Sequence, residues 1–216
     1  MAPLKILHET PEWLVVDKPA GLSVHNATPN VLTLLQLQKP GVSFHLVHRL
    51  DQETSGVLLL AKNPKTAATL METLNHDSTT KKYQAILRGK MKSDSESWQW
   101  ALTDKAEGRK NPQGIGIDRK HCTTLVKVLQ SNDYFTWVEC EILTGRQHQI
   151  RKHAAIAKHP IVGDSRYNDP KYNERIFGLY PVTRMFLHAF ELKITIDKRE
   201  WVFTSPVSAE FKTLFP

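Results

Sequence analysis

The chain has 216 residues, 40% of them hydrophobic and 24% charged, enough for one domain or a two-lobed unit with a sizeable core. No apolar run approaches the roughly 20 residues of a membrane span, and the stretch from Met1 to Trp13 has no long apolar core and carries Glu9, which argues against a secretory leader. A net charge of +7 and a pI near 9.4 favour a polyanionic partner such as nucleic acid, although a merely basic soluble protein has the same totals. Cys122 and Cys140 form no CxxC pattern, which points to a reduced cytoplasmic setting and away from a metal cluster.

In chain order, Trp13 to Asp17 (WLVVD) reads as a strand closed by a Lys18-Pro19-Ala20-Gly21 turn. Val31, Leu34, Leu35 and Gln38 fall at helical spacing, so a short helix is expected over 31–38. Val57 to Ala61 reads as a buried strand. Asn63-Pro64 then has the form of an N-cap with proline at the first helical position, and Ala67, Leu70, Met71 and Leu74 share one helix face. Lys82 to Leu87 alternates, with Tyr83, Ala85 and Leu87 on one side. Residues 90–120 are polar and turn-rich and read as an excursion, a loose hairpin. Two strands, 123–129 and 135–143, follow, joined at Ser131-Asn132-Asp133. After Gly145 the span 147–158 reads as a helix, and 186–196 with 201–204 as a last hairpin turned at Asp197-Lys198. Strands and helices without regular βαβ alternation argue for an α+β protein with a largely antiparallel sheet.

The charge is unevenly spread. From Arg146 to Arg175 seven basic residues face three acidic ones, an excess of four, and His148, His153 and His159 lie in the same stretch. Two short segments could carry chemistry. In VHRLDQETSGVLLL (47–60), Arg49 and Asp51 stand immediately before the aliphatic strand, at a turn marked by Thr54-Ser55-Gly56. Spacing alone favours a turn residue capping Thr54 or Ser55 as the account of Asp51; a carboxylate held at the mouth of a site is the other. In TGRQHQIRKH (144–153), Gly145 permits a sharp turn and Arg146 precedes a helix whose apolar stripe is Ile150, Ala154 and Ala157. That leaves His148, Arg151 and Lys152 on the polar face, where phosphates could be met; for Lys152 a solvated basic face suffices. His148 and His153 lie five apart with no HExxH pattern, which speaks against a metal site.

Together, HRLDQETSG (48–56) and TGRQHQIRKH (144–153) resemble the signature segments of the RluA-type pseudouridine synthases. The resemblance extends in order through KPAGLSVH (18–25), KKYQAILRG (81–89), HPIVGDSRY (159–167) and FLHAFEL (186–192), and covers nearly the whole chain except residues 90–120. It implies a single catalytic domain over 1–216, without the small S4-like RNA-binding module that many relatives carry. The implied fold is a mixed, largely antiparallel sheet flanked by helices around a central cleft. It further implies that Asp51 is the essential carboxylate, that Arg49 enters the RNA stack where the target base leaves, that Tyr83 stacks on the flipped uracil, that Arg146 pairs with the Asp51 carboxylate, and that Ile150 lines the apolar side of the pocket. Arg151, flanking both Arg146 and Ile150, is the expected helix-borne phosphate contact.

The implied reaction breaks the C1′–N1 bond of a uridine flipped out of structured RNA and rejoins C5 to C1′. It needs no redox change and no group transfer, hence no cofactor and no metal. The implied partner is ribosomal or transfer RNA, and the expected working form is a cytoplasmic monomer. Two rivals stay open on sequence: a non-catalytic RNA-binding protein of the same fold, and a base-removing glycosidase, although most glycoside hydrolases use two carboxylates and only one acid here sits in a motif.

Overall fold

A computed structural model describes residues 3–215 and divides the protein into two compact units: the chain up to Lys81 together with His188–Pro206, and Lys82–Leu187 together with the chain from Val207 onward. In chain order the elements are strands β1 (Lys5–Glu9) and β2 (Trp13–Lys18), helix α1 (Val31–Gln38), strands β3 (His45–Leu46) and β4 (Ser55–Ala61), and helix α2 (Pro64–Leu74). Strands β5 (Thr80–Arg88), β6 (Ser95–Trp98), β7 (Thr124–Ser131) and β8 (Phe135–Ile142) follow, then helices α3 (Gln149–Ile156) and α4 (Pro170–Leu179), strands β9 (Leu187–Ile196) and β10 (Arg199–Thr204), and helix α5 (Glu210–Thr213). The class is α+β with mostly antiparallel pairing, as the sequence leads one to expect.

In the first unit β1, β2 and β4 pair antiparallel in that order, β3 pairs with the end of β4, and β9 joins the start of β4 in parallel before returning as β10. The aliphatic run of β4 is explained by burial on both faces. Val57, Leu59 and Ala61 pack with Trp13, Val15 and the α2 residues Ala67, Leu70 and Leu74, while Leu58 and Leu60, which alternate with them, are equally buried. Helix α2 starts as expected, with the Asn63 side chain accepting the Thr66 N–H at 2.8 Å and Pro64 in the first turn. Met71, expected on its apolar stripe, is instead 45% exposed. The β9–β10 turn places Asp197 and Lys198 at φ 52 and 64, the left-handed pair that a two-residue hairpin requires.

The second unit is built on the antiparallel order β5–β8–β7–β6. Its core gathers Ala85 and Leu87 of β5, Val138 and Cys140 of β8, Ile150 and Ala154 of α3, and Phe186 and Phe211. Within the polar excursion β6 adds an edge strand to β7, and a bridge between Leu102 and Lys120 closes a loop. Helix α3 begins at Gln149, later than expected, because its N-cap residue His148 is left-handed (φ 55). Helix α4 was not anticipated, although Asp169-Pro170 is a helix-start signal: the Asp169 side chain accepts the Lys171 N–H at 3.1 Å.

Candidate active site

The loop carrying Asp51 belongs to the first unit and is held by buried polar groups. Arg49 is exposed and Asp51 partly exposed, while Leu50 between them and Thr54 and Ser55 after them are buried. A tight turn forms as the Thr54 N–H donates to the Asp51 carbonyl at 3.1 Å. Beneath it lies Lys18, fully buried, whose ammonium donates to the carbonyls of Pro19 (3.0 Å), Leu22 (2.8 Å) and Gln52 (3.0 Å). The Gln52 carbonyl also accepts the Gly21 N–H at 2.9 Å. One lysine thus ties the KPAG turn to the residue after Asp51, with its charge spread over three carbonyl dipoles. In sequence Lys18 is only part of a turn; three converging carbonyls cannot be read from spacing.

Two histidines fix the same loop from other sides. His48 Nε2 accepts the Leu59 N–H of β4 at 3.1 Å, and burial, helped by the nearby Lys81 ammonium, pushes its pKa down to about 4. The ring is therefore neutral at physiological pH and serves as an acceptor in place of a strand carbonyl. Ser55 Oγ lies 2.7 Å from His188 Nδ1, and His188 Nε2 donates to the Ser205 carbonyl at 2.8 Å. The carbonyl fixes the tautomer, so the Ser55 hydroxyl donates to Nδ1. Gly56 completes the clamp. At φ 113 it sits against the Ala189 backbone of β9, where a Cβ would fall inside contact distance of the carbonyl. The Thr-Ser-Gly segment is thus a strand junction as well as a turn.

Tyr83, Arg146, Ile150 and Arg151 lie in the second unit. Tyr83 is partly buried on β5 against that unit's core, opposite Cys140 in register. Gln149, buried and fully satisfied, shapes the turn at Arg146. Its Oε1 accepts the Thr144 hydroxyl (2.7 Å) and the Arg146 N–H (3.1 Å), and its Nε2 donates to the Thr123 carbonyl (2.9 Å) and the Thr124 hydroxyl (3.1 Å). The Arg146 guanidinium meets Asp104 at 3.4 Å, while its Nε is buried without a hydrogen-bond partner. Ile150, 4% exposed, is a core residue of the second unit.

The polar-face expectation for α3 is overturned. Arg151 is 3% exposed and Asp164 fully buried, and the two form a bidentate pair, Nε–Oδ2 2.8 Å and Nη2–Oδ1 3.0 Å. Asp164 Oδ1 also accepts the N–H groups of Arg166 and Tyr167. Arg151 is therefore an internal ion pair and not a phosphate contact. Lys152, expected on a solvated face, is fully buried and donates to the Thr103 carbonyl at 2.7 Å. Counting apolar positions misplaces both, since it treats every cation as surface. Lys158, Arg166, Lys171 and Arg175 carry the exposed part of the basic stretch. No cluster of three or more potential metal ligands occurs among the described residues, and none of their helices is long and apolar enough to cross a membrane.

Residues 12–156 match the family model described as RNA pseudouridylate synthase. The chain belongs to the RNA pseudouridylate synthase family. It is 36% identical over 196 residues to the ribosomal large subunit pseudouridine synthase C of Escherichia coli (strain K12), covering 88% of this chain and 61% of that protein. To the Pasteurella multocida protein of the same description it is 34% identical over 200 residues, 90% of this chain and 61% of the relative. The chain thus spans 61% of the length of these curated relatives. Among solved structures it is similar to human RNA pseudouridylate synthase domain containing 1, with a TM-score of 0.78 and 27% identity over 96% of this chain and 86% of that one. The human domain-containing 4 protein, at 24% identity and a TM-score of 0.77, shares the fold.

Proposed function

We propose that this protein is an RNA pseudouridine synthase that isomerises specific uridines in structured RNA, with Asp51 as its catalytic carboxylate. The observation that carries the reading is the loop around Asp51. A buried lysine, a neutral histidine and a Ser55–His188 contact hold its backbone, yet the carboxylate stays partly exposed, in a chain of this family. A reacting carboxylate needs that combination of fixed position and access. Residues 1–216 act as one catalytic domain in this reading.

The chemistry follows from the substrate. A stacked uridine is unreachable, so the nucleotide leaves the stack. Arg49, exposed beside Asp51, takes the vacated place, and Tyr83 stacks on the extruded uracil, a contact worth roughly 1–3 kcal/mol. Asp51 acts as nucleophile at C1′ or as base at the ribose. The C1′–N1 bond breaks, the uracil turns, and C5 joins C1′ as Asp51 leaves C1′ or returns the ribose proton; the proton lost from C5 is balanced by one taken up at N1, so the product is an isomer. Arg146 supplies positive charge toward the reacting carboxylate as water leaves, and Ile150 backs the apolar side of the pocket. The balance involves no redox partner and no transferred group, so the reaction asks for no cofactor. The similarity to enzymes named for the large ribosomal subunit makes ribosomal RNA the first substrate to test, transfer RNA the second, with a cytoplasmic monomer as the working form.

The test incubates unmodified large-subunit ribosomal RNA and transfer RNA transcripts with the wild type and with Asp51→Asn, then maps pseudouridine by chemical probing. We expect modification by the wild type, none by the variant, and RNA binding by both. Turnover by a sequence-verified Asp51→Asn protein would refute the assignment. Release of free uracil would make the enzyme a glycosidase, and binding without product would make the protein a non-catalytic RNA binder.

A further inference from the structure

The loop between Leu102 and Lys120 falls in residues 90–120, which hold none of the motif segments quoted above. Its base is rigid. Leu102 and Lys120 exchange backbone hydrogen bonds of 3.0 and 2.9 Å. The buried Lys152 ammonium grips the Thr103 carbonyl, and the Gln113 side chain donates to the Ala101 carbonyl at 3.0 Å. Gly114, at φ 97, packs so closely on Thr103 that a Cβ would collide with it. Arg166 reaches in from outside the loop to the Ala106 carbonyl at 3.0 Å.

Its tip is the opposite. Ile115 is 82% and Ile117 98% exposed, alternating with glycine in Gly114-Ile115-Gly116-Ile117. Lys105, Arg109, Lys110, Arg119 and Lys120 are exposed in the same loop, against Asp104, Glu107 and Asp118; Arg109 pairs with Asp169 at 3.1 Å, and Lys105 and Lys110 form no ion pair among the described residues. Glu107 accepts the Thr103 hydroxyl, which turns its charge toward the loop base. The loop is also tied to a residue of the proposed site, because Asp104 meets both Lys120 (3.2 Å) and Arg146 (3.4 Å).

A rigid base does not fit an idle linker, and two isoleucines held out in water beside cations do not fit a solubilising loop. Resting on the function proposed above, we infer that this loop is an RNA-reading element. Ile115 and Ile117 wedge among unpaired bases while Lys105 and Lys110 meet flanking phosphates, and Asp104 keeps those contacts next to Arg146. Aliphatic side chains inserted between bases unstack them, and the cost is offset by the apolar contact and by wider phosphate engagement. Single-stranded or looped RNA fits this chemistry; an A-form duplex, whose bases stay stacked, gives the isoleucines nothing to enter.

The experiment reads binding, not turnover, so it stands apart from the test of function. The probes are a fluorescently labelled RNA stem–loop with a uridine-rich loop and a fully paired RNA duplex of equal length. Both variants change exposed residues only. Ile115→Ser/Ile117→Ser should weaken stem–loop binding about tenfold and leave duplex binding unchanged. Lys105→Glu/Lys110→Glu should weaken both, and the slope of log affinity against log salt should become shallower by roughly 0.7 per lost single-strand contact. Wild-type stem–loop affinity in the isoleucine variant overturns the inference and points to a protein as the occupant. So does an equal loss on duplex and stem–loop, and so does absence of stem–loop binding by the wild type. If the wild type binds but forms no pseudouridine in any transcript, the proposed function fails while the loop inference is still decided.

Discussion

Replacing Arg151 by alanine separates an internal ion pair from an RNA contact. Asp164 is fully buried, and the substitution takes from it two charged hydrogen bonds of 2.8 and 3.0 Å while leaving the N–H groups of Arg166 and Tyr167 in place. Removing one partner of a buried pair typically costs about 3–5 kcal/mol, because a charge remains without compensation. The two surviving backbone donors place the expected loss toward the lower end, about 3 kcal/mol. At roughly 2–4 °C per kcal/mol for a chain of this size, the melting midpoint should fall by about 6–12 °C. Arg151→Met combined with Asp164→Asn should recover most of that, since asparagine still accepts the backbone N–H groups but carries no charge. Circular dichroism melting and the salt dependence of RNA binding, measured on the same protein, give the answer. A midpoint within a degree of wild type, with a salt slope shallower by one contact, would refute the ion-pair account and restore Arg151 to the RNA surface.

Three further outcomes follow from the same structure. His48 has its folded pKa pushed down from 6.5 to about 4, so the unfolded chain takes up a proton that the folded one refuses. Its contribution is present above pH 6.5 and is lost on acidification toward pH 4, on the order of 3 kcal/mol in total. Chemical denaturation at pH 7 and pH 5 should show a smaller difference for His48→Gln than for wild type, and an equal difference would sink the claim. Gly56→Ala should destabilise by at least about 2 kcal/mol, because the new Cβ meets the Ala189 carbonyl at a positive φ; a wild-type melting curve would show that the β4–β9 junction relaxes freely. Tyr83→Ala should lower turnover strongly with a modest loss of RNA affinity, whereas Tyr83→Phe keeps the ring and should bind as wild type does; indistinguishable binding by the two variants would rule out stacking.

How much of this was legible in sequence depends on which physical signal carried it. The β4 strand, the α2 start at Asn63-Pro64 and the Asp197-Lys198 hairpin were readable because each rests on local chemistry: an unbroken aliphatic run, a side-chain cap, a two-residue turn between strands. Strand β1 was not, since Lys5–Glu9 is short, partly exposed, and sets its two apolar residues, Ile6 and Leu7, side by side so that it does not alternate. The motif residues Arg49, Asp51, Tyr83 and Arg146 were found by resemblance, because no local period singles them out. What holds them was hidden. Lys18 looks like a turn residue until the Gln52 carbonyl, 34 residues away, is seen to accept from it. His188 looks like a strand residue until Ser55, 133 residues away, points at its ring.

The same reasoning explains why composition misled at α3. Helical spacing assigns Arg151 and Lys152 to water because cations are seldom buried without a partner. Their partners, Asp164 and the Thr103 carbonyl, come from segments whose positions no helical period encodes. Burial there is made possible by pairing: a bidentate carboxylate for the guanidinium and a carbonyl for the ammonium. The structural consequence bears on function. Arg151 fixes the Asp164 turn, and Lys152 holds Thr103 next to Asp104, which in turn meets Arg146. The basic stretch therefore does two separate jobs, with its buried members fixing the frame and its exposed ones, Lys158, Arg166, Lys171 and Arg175, left to face the solvent and any polyanion in it.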